Sequence, residues 1–130
     1  MMSRTAGPGA VPSSLQPCPR DRNCVSSLAT RASHRVDPFP CVGTCEETLA
    51  RLRNLVELTP GASIVAYTSD YLRAEYRSTF LRFVDDLELL VDRHASLIQV
   101  RSASRVGSWD LGANRRRVED LRQRFARLPS

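Results

Sequence analysis

Charged and polar side chains interrupt the apolar segments in the last third of this chain. Asp85 and Asp86 lie inside a strand-like run, and residues 101–105 (RSASR) close the next such run. A turn around Asp110 then leads into three consecutive arginines at 115–117. Such groups need partners when they lie beside a core, because an isolated buried charge is costly. This stretch is therefore the candidate site.

Two hairpin registers would decide which of these side chains meet across a sheet. One register pairs Val91 with Ser96, and the other pairs Arg77 with Phe80 across a short connection. Directly opposed residues have Cβ atoms only about 5 Å apart, so each register predicts contacts. The predicted pairs are Asp86 with Arg101, Asp85 with Ser102, Arg82 with Arg105, Glu75 with Arg82, and Tyr71 with Asp86.

The predicted sheet has one charged face and one apolar face. On the charged face, Arg101 and Arg105 could bind a carboxylate or phosphate, helped by the N–H groups that open the last helix. Alternatively, the acids and arginines only neutralise one another across the strands. Their numbers nearly match, which favours such a charge ladder. The candidate binding residues are Arg82, Asp85, Asp86, Arg101, Ser102, Ser104, Arg105, Asp110, Asn114 and Arg116.

Asp85 needs a partner more than the other acids do, because its position falls in the apolar phase of its strand. A carboxylate in that position must be paired, hydrogen-bonded or protonated. It could accept hydrogen bonds from the turn at 108–112, hold Arg116, or be turned outward by a bulge beside Asp86. We favour a structural role over a catalytic one, and no catalytic residue is assigned.

The four cysteines are spaced as Cys18-x5-Cys24 and Cys41-x3-Cys45. Four thiolates could hold zinc, but neither half has the two-residue gap of familiar zinc sites. Separate reduced thiols are expected in a cytoplasmic protein, and a Cys18–Cys24 disulfide is expected if the chain is exported. Cys24 could also act as a thiol nucleophile with His34, although no third group is evident. No metal and no cofactor are predicted.

The composition is that of an ordinary globular chain with basic ends. The 130 residues carry a net charge of +5, and all 19 basic residues are arginine. Residues 1–45 hold five Arg against two acids (+3), residues 46–113 eight against ten (−2), and residues 114–130 six against two (+4). Nucleic-acid binding by the last helix is disfavoured, because its acids can pair with its arginines and no known motif is present. An unknown anionic small molecule or partner protein is the expected ligand.

No segment of the sequence predicts insertion into a membrane. No apolar run reaches the roughly 20 residues that span a bilayer. The first residues, MMSRTAGPGAVPSSLQP, lack the apolar core of a secretory signal. The chain as written is therefore expected to be soluble and cytoplasmic, and it would be exported if its start site is misassigned.

Hydrophobic spacing predicts two helices around four strands. Thr44 and Glu47 form a capping box for a first helix that stops at Pro60. Helical spacing returns at residues 113–127. The resulting α-β-β-β-β-α order predicts an α+β fold, a four-stranded antiparallel sheet with both helices on one face. The predicted strands are 62–68, 71–77, 80–91 and 97–106.

The chain is long enough for one domain with its own core. Residues 1–17 are rich in Gly, Pro and Ser and are predicted to be a flexible N-terminal tail. Residues 18–128 are predicted to form a single α+β domain, which begins with an extended arm at 18–43. The expected anchors of that arm are Val25, Leu28, Val36 and Phe39.

Five segments of the chain together resemble one family. They are Asn23 to Ser27 (NCVSS), Asp70 to Leu72 (DYL), Arg82 to Asp86 (RFVDD), Arg101 to Gly107 (RSASRVG), and Asp110 to Arg117 (DLGANRRR). In this order, across about residues 18–127, they are similar to the bacterial and plastid family catalogued as domain of unknown function 1499. Ser108-Trp109, Cys41 and Cys45 depart from the family's pattern. The resemblance implies one small α+β domain and supplies no activity, because none is assigned to the family.

Two hypotheses of function follow from these residues. The first is a non-enzymatic binding or interaction domain that uses the Arg/Asp-rich sheet face and turn for an anionic ligand or partner protein. The second is a small enzyme, hydrolase-like through Asp85 or Asp86, or thiol-dependent through Cys24. A cavity surrounded by Asp85, Arg101 and Arg116 would favour a ligand site or an enzyme, whereas closed pairs would make these residues structural.

Overall fold

The first helix begins at the capping box that its sequence predicts. A computed structural model of the chain describes residues 11–19, 23–78, 83–107 and 111–129. In it, α1 spans Cys45–Glu57. The Glu47 N–H donates to Thr44 Oγ1 over 3.0 Å, and the Thr44 N–H donates to the Glu47 carboxylate over 2.9 Å. These two bonds satisfy donors that a helix N-terminus otherwise leaves unpaired.

The sheet has six strands, so the prediction of four was wrong in number. All strand pairings are antiparallel, in the order β1-β6-β5-β4-β3, with β2 also paired to β6. A second helix, α2, follows at Ala113–Ala126. Two helices and an antiparallel sheet confirm the α+β class. The strands are β1 at Cys24–Ser26, β2 at Phe39–Pro40, β3 at Ala62–Tyr67, β4 at Tyr71–Arg77, β5 at Val84–Asp92 and β6 at Leu97–Ser104.

The two additional strands belong to the segment that was predicted as an extended arm. Val25 of β1 pairs with Ser102, and Phe39 of β2 pairs with Ile98. Both strands therefore pair with β6 along the edge that β5 does not occupy. Strands of three and two residues are too short to show a sequence period. Val25 and Phe39 are buried as predicted, but Leu28 is 47% exposed and does not anchor the arm.

Both helices pack against the same face of the sheet. Leu52 of α1 and Val118 of α2 are fully buried against Leu72, Leu89 and Val100 of the central strands. Complete burial of such a side chain contributes about 1.5–3 kcal/mol each, so this layer holds the domain together. The helices leave the other face of the sheet for charged residues.

Both predicted hairpin registers were wrong. Val91 pairs with Ile98 instead of Ser96, a shift of two residues, and Arg77 pairs with Val84 instead of Phe80, a shift of four. Ser96 instead lies in the β5–β6 turn at a positive φ of 57°. Even shifts keep each side chain on its original face, because the side-chain period of a strand is two. The two faces therefore match the prediction, while the cross-strand partners do not.

Residues 11–19 lie against the charged face at one end of the sheet. Leu15 is 6% exposed and packs with Ala66, Tyr71 and Leu90. The predicted tail boundary at residue 17 stays a prediction, and residues 1–10 fall outside the described part. Among the described residues, no helix has the length and apolarity needed to cross a membrane.

Candidate functional site

A partly buried ion pair joins α2 to the core face of the sheet. Arg117 Nη2 lies 2.9 Å from Asp85 Oδ2, and the two side chains are only 17% and 14% exposed. Arg117 Nη1 also donates to Asn114 Oδ1 over 2.8 Å and to Ser102 Oγ over 3.1 Å. Asp85 is therefore paired, as a carboxylate in the apolar phase of a strand requires.

Asn114 connects the ion pair to two other segments of the chain. Its side-chain amide nitrogen donates to Ser104 Oγ over 2.9 Å and to the Asn23 carbonyl over 3.1 Å. Its Oδ1 accepts from Ser102 Oγ over 2.7 Å. Asn114 is fully buried, so these bonds offset the cost of taking its amide out of water. The network holds the start of α2 to the ends of β1 and β6.

Helical spacing explains why Arg117, and not Arg116, meets Asp85. Asn114 and Arg117 are three residues apart on α2 and therefore share one face. Arg116 is exposed on a different side, where its Nη1 donates to the Leu111 carbonyl over 2.6 Å. The predicted contact of Asp85 with Arg116 was thus wrong, because the next residue, Arg117, is the partner. The predicted capping of the turn at 108–112 involves residues 108–110, which lie outside the described residues.

A cleft opens beside the ion pair, at the end of the sheet where β4 ends and β5 begins. Its volume is about 370 Å³, and we call it the end cleft. Asp85, Ser104 and Arg117 are polar residues of its lining, and Tyr76 and Ala113 line it from β4 and α2. The remaining lining residues are Pro60, Arg77, Ser78, Phe83, Val106, Gly107 and Leu111.

The walls of the end cleft expose apolar side chains to water. Phe83 is 49% exposed, Val106 is 54% exposed and Leu111 is 63% exposed. Leu111 also has a φ of 56°, a left-handed conformation that a leucine rarely adopts. Exposed apolar groups around a concave site and backbone strain are both typical of functional regions. The predicted strands 80–91 and 97–106 included Phe83 and Val106, but both residues lie just outside β5 and β6.

Tyr76 forms the aromatic wall of the end cleft. The Arg117 guanidinium lies over its ring, 4.5 Å from the ring centroid. Burial raises the pKa of the Tyr76 hydroxyl to about 12, which outweighs the opposing effect of Arg117 and Arg124. The phenol therefore stays neutral at physiological pH and can donate a hydrogen bond.

The opposite face of the sheet carries a closely paired charge ladder. Arg105 contacts Asp86 Oδ2 through Nε and Glu75 through Nη2, both over 2.7 Å. Arg73 contacts the same Asp86 over 3.1 Å, and Arg77 contacts Glu75 over 3.2 Å. Hydrogen bonds that Arg105 donates to Asp86 and Glu75 raise the pKa of Arg105 above its usual value. These contacts occupy Nε and Nη2 of Arg105 and the carboxylates that face them.

Arg101 is held more loosely on the same face. Its Nη1 lies 3.8 Å from Glu88, and its Nη2 lies 3.5 Å from the Pro17 carbonyl of the segment that covers the sheet there. Glu88 accepts a 2.6 Å hydrogen bond from the Tyr71 hydroxyl. Burial and then this bond raise the pKa of Tyr71. Glu88 opposes Arg101 across the strands, in the place that the predicted register gave to Asp86.

The structure divides the predicted site residues between the two faces. Asp85, Ser102, Ser104 and Asn114 come together at the core face, next to the end cleft. Asp86, Arg101 and Arg105 lie on the charged face, and Arg116 points outward from α2. Arg82 and Asp110 fall outside the described residues.

Sequence analysis missed three residues of this site: Arg117, Tyr76 and Asn23. Arg117 lies three residues after Asn114, about one helical turn, so helical periodicity could have identified it. Tyr76 lies in the apolar phase of its strand, which does not distinguish a cleft wall from the core. Asn23 opens the NCVSS segment, and its side chain donates to the carbonyls of Val106 and Gly107.

All four cysteines are joined in two disulfides, Cys18–Cys24 and Cys41–Cys45. The Cys18–Cys24 disulfide is the one expected for an exported chain, whereas the alternative of separate reduced thiols was wrong. The idea of a four-cysteine zinc site was also wrong, because no free thiol remains. Cys24 is also 3% exposed, so it is not available as a nucleophile while the disulfide is closed. Within the described ranges, no cluster of His, Cys, Asp and Glu could hold a metal ion.

The network around Asn114 brings together segments that resemble the family named above. NCVSS contributes Asn23, RFVDD contributes Asp85, RSASRVG contributes Ser102 and Ser104, and the last segment contributes Asn114 and Arg117. No curated protein and no solved structure matches the chain. A family model matches residues 14–125, which is most of the chain. The chain therefore belongs to the family described as "Protein of unknown function (DUF1499)".

Proposed function

We propose that this chain is a non-enzymatic binding domain whose ligand occupies the end cleft. The observation that carries the proposal is the contrast between the cleft's two surfaces. Its polar surface is supported by the Asp85–Arg117 pair, whereas Phe83, Val106 and Leu111 expose apolar walls. A ligand that covers these walls would remove apolar area from water at about 25 cal/mol per Å². Binding is thus favoured without any reacting group.

The lining of the end cleft selects the chemistry of the ligand. A volume of about 370 Å³ suits a small organic molecule. The walls fit an apolar body, and Arg77 and Arg117 suit a polar or anionic group at one end. Asp85 offsets the charge of Arg117, so a hydroxyl, amide or carboxylate suits this cleft better than a multiply charged phosphate.

Anion binding on the charged sheet face is the weaker form of the same proposal. Asp86 and Glu75 already occupy Arg105, and an incoming anion would have to displace them. Arg101 is less tightly paired, but the Pro17 carbonyl lies next to it. The end cleft needs no such displacement.

No contact among the described residues favours the enzymatic alternative. Asp85 is paired with Arg117, and Asp86 is paired with Arg73 and Arg105. Cys24 is held in a disulfide. A general base or nucleophile needs a free lone pair within reach of a substrate. These pairings engage the side chains that would have to supply it.

Contacts of the α2 arginines also disfavour nucleic-acid binding. Arg115 donates to the carbonyls of Ser33 and Arg35 over 3.0 Å and 2.8 Å. Arg122 donates to the Pro38 carbonyl, and Arg124 donates to Thr59 Oγ1 and the Leu55 carbonyl. These arginines tie α2 to the arm and to α1, so fewer donors remain for phosphates.

The two disulfides support an oxidising compartment over the cytoplasm as the site of function. Structural disulfides persist mainly in exported proteins, because cytosolic thiols are kept reduced. We therefore place the mature domain outside the cytoplasm. Alkylation of protein taken directly from its host tests this: blocked cysteines support it, and four alkylated cysteines contradict it.

Native mass spectrometry of protein purified from its own host tests the end cleft. We expect a small molecule to be retained by the wild type and lost in Val106→Trp, which fills the cleft with an indole. Leu28→Trp is the matched control, since Leu28 is similarly exposed and does not line the end cleft. A ligand that both variants retain, or that Leu28→Trp alone releases, would place the binding site elsewhere.

A further inference from the structure

Residues 11–19 cover part of the charged face, and we call this segment the strap. Leu15 packs with apolar residues of β3, β4 and β5, and Arg101 of β6 donates to the Pro17 carbonyl over 3.5 Å. Among the described residues, no backbone hydrogen bond joins the strap to the sheet. Burial of one leucine does not offset the conformational entropy that the ordered strap loses. The strap therefore needs a further anchor.

The Cys18–Cys24 disulfide supplies this anchor by joining the end of the strap to β1. Cys24 is 3% exposed, whereas Cys18 is half-buried and lines a cavity of about 380 Å³. Ser14 of the strap lines this cavity and a second one of about 520 Å³, so the strap is not closely packed on the domain. It is held mainly by one covalent bond, which an attacking thiolate can reach at Cys18.

Arg101 lacks the hydrogen bonds that a mostly buried guanidinium needs. Its side chain is 15% exposed, and its Nη1 lies 3.8 Å from Glu88, which is too long for a hydrogen bond. Its Nη2 has only the long contact with the Pro17 carbonyl, and its Nε is buried with no partner among the described residues. Buried donors without acceptors cost free energy, so the strap leaves Arg101 poorly satisfied.

Arg105, on the same face, shows which ligand suits this edge of a guanidinium. Its Nε and Nη2 donate to the two carboxylate oxygens of Asp86 over 2.7 Å and 2.9 Å. Arg101 offers the same Nε–Nη2 edge to a single carbonyl oxygen, so one of two parallel donors stays empty. Glu88 lies nearer Nη1 and accepts a hydrogen bond from Tyr71, so it does not occupy this edge. A carboxylate would supply both acceptors.

We propose that the strap closes a carboxylate-binding site at Arg101, and that reduction of the Cys18–Cys24 disulfide opens it. When the strap lifts, the Arg101 edge and the apolar residues that Leu15 covers are uncovered together. The site would then take a carboxylate that carries an apolar group, as at the carboxyl end of a peptide. This site goes beyond the end cleft, with which the strap shares no lining residue.

A dithiol is the reductant that this opening requires. One of its thiolates attacks Cys18 Sγ, and Cys24 leaves as a thiolate. The second sulfur of the dithiol then displaces Cys18, so the reductant becomes a disulfide and its two protons pass to the two cysteines. In an oxidising compartment the strap is closed until such a dithiol is delivered.

Arginine modification by phenylglyoxal, mapped by peptide mass, tests the opening. The full chain carries Cys41→Ser and Cys45→Ser, so that the strap disulfide is the one that dithiothreitol reduces. We expect Arg101 to react about tenfold faster after reduction, because opening exposes its buried donors, whereas the exposed Arg127 should react equally in both states. Equal Arg101 rates would overturn the proposal. Loss of the thermal transition on reduction would also overturn it, since the disulfide would then hold the domain and not the strap.

Fluorescence anisotropy with a labelled peptide tests the site. The probe is Ser-Ser-Leu-Gln-Pro, the sequence of residues 13–17, with a free carboxylate in place of the Pro17 carbonyl. The reduced protein should bind it about tenfold more tightly than the oxidised protein does, and the amidated peptide should bind about tenfold more weakly. Arg101→Gln should remove the binding, whereas Arg127→Gln removes the same charge elsewhere and should retain it.

Three binding results would overturn the carboxylate site. The free-carboxylate peptide could fail to bind the reduced protein, the amidated peptide could bind as tightly, or Arg101→Gln could retain full binding. Val106→Trp separates this site from the end cleft: it should lose the small molecule of the cleft and still bind the peptide after reduction. Loss of both ligands in Val106→Trp would contradict two independent sites.

Discussion

Arg117 and Asp85 form a 2.9 Å ion pair that holds the start of α2 to the start of β5. The pair is largely removed from water, and Asn114 and Ser102 share the same guanidinium. The end cleft lies beside this junction, so its shape depends on the pair.

Asp85→Asn should destabilise the domain by about 2–3 kcal/mol, because it leaves the Arg117 charge largely buried without its counter-charge. Asp120→Asn is the control: Asp120 is 65% exposed and lies 3.6 Å from Arg124, and such surface pairs contribute about 0–1 kcal/mol. Urea denaturation measures both variants. Equal stabilities for Asp85→Asn and wild type would show that the pair does not support the fold.

The two disulfides should each contribute about 2 kcal/mol of stability, because both close short loops. Intact-mass measurement of native protein should give a mass four hydrogens below that of the reduced chain. Reduction should then lower the free energy of unfolding in urea. Double-serine variants at Cys18 and Cys24, or at Cys41 and Cys45, separate the two contributions. A native mass equal to the reduced mass would contradict the prediction.

Gly61→Ala should destabilise the domain by about 1–3 kcal/mol. Gly61 has a φ of 86°, and a Cβ there would lie 2.9 Å from the Arg77 carbonyl oxygen at the end of β4. Gly107→Ala is the matched control, with a φ of 83° and open space around the added Cβ. It should show only the cost of the left-handed backbone, about 1 kcal/mol. Thermal melting distinguishes the two, and a larger loss for Gly107→Ala would reverse this interpretation.

Stability should fall as the pH rises from about 10 to about 12. In this window the unfolded chain ionises the Tyr76 phenol, whose pKa in the folded domain is raised to about 12 by burial. The folded state therefore binds more protons than the unfolded state, and alkali favours unfolding. Tyr76→Phe should show a shallower fall, measured by urea denaturation at each pH. Identical slopes for Tyr76→Phe and wild type would contradict the raised pKa.

The sequence predicted those parts of the fold that rest on local chemistry. The Thr44–Glu47 capping box placed the start of α1, because its two hydrogen bonds lie within three residues. Helical spacing predicted a second helix at 113–127, and α2 spans Ala113–Ala126. The buried partner of Asp85 was not predictable in the same way, since choosing between Arg116 and Arg117 requires the orientation of α2 relative to the sheet.

In the sheet, the faces of the strands were predictable from the sequence and the strand registers were not. Strand alternation assigned Asp85 to the core face and Asp86 to the charged face. Both predicted registers were wrong, but they differ from the observed ones by even numbers of residues, so the faces did not change. The cross-strand partners depend on where each hairpin turns, and packing and the edge strands β1 and β2 decide that together. The sequence by itself therefore determined which strand positions share a face of the sheet. Only the tertiary structure decided that Asp85 meets Arg117 and that a cleft with apolar walls opens beside them, because those contacts join segments far apart in the chain.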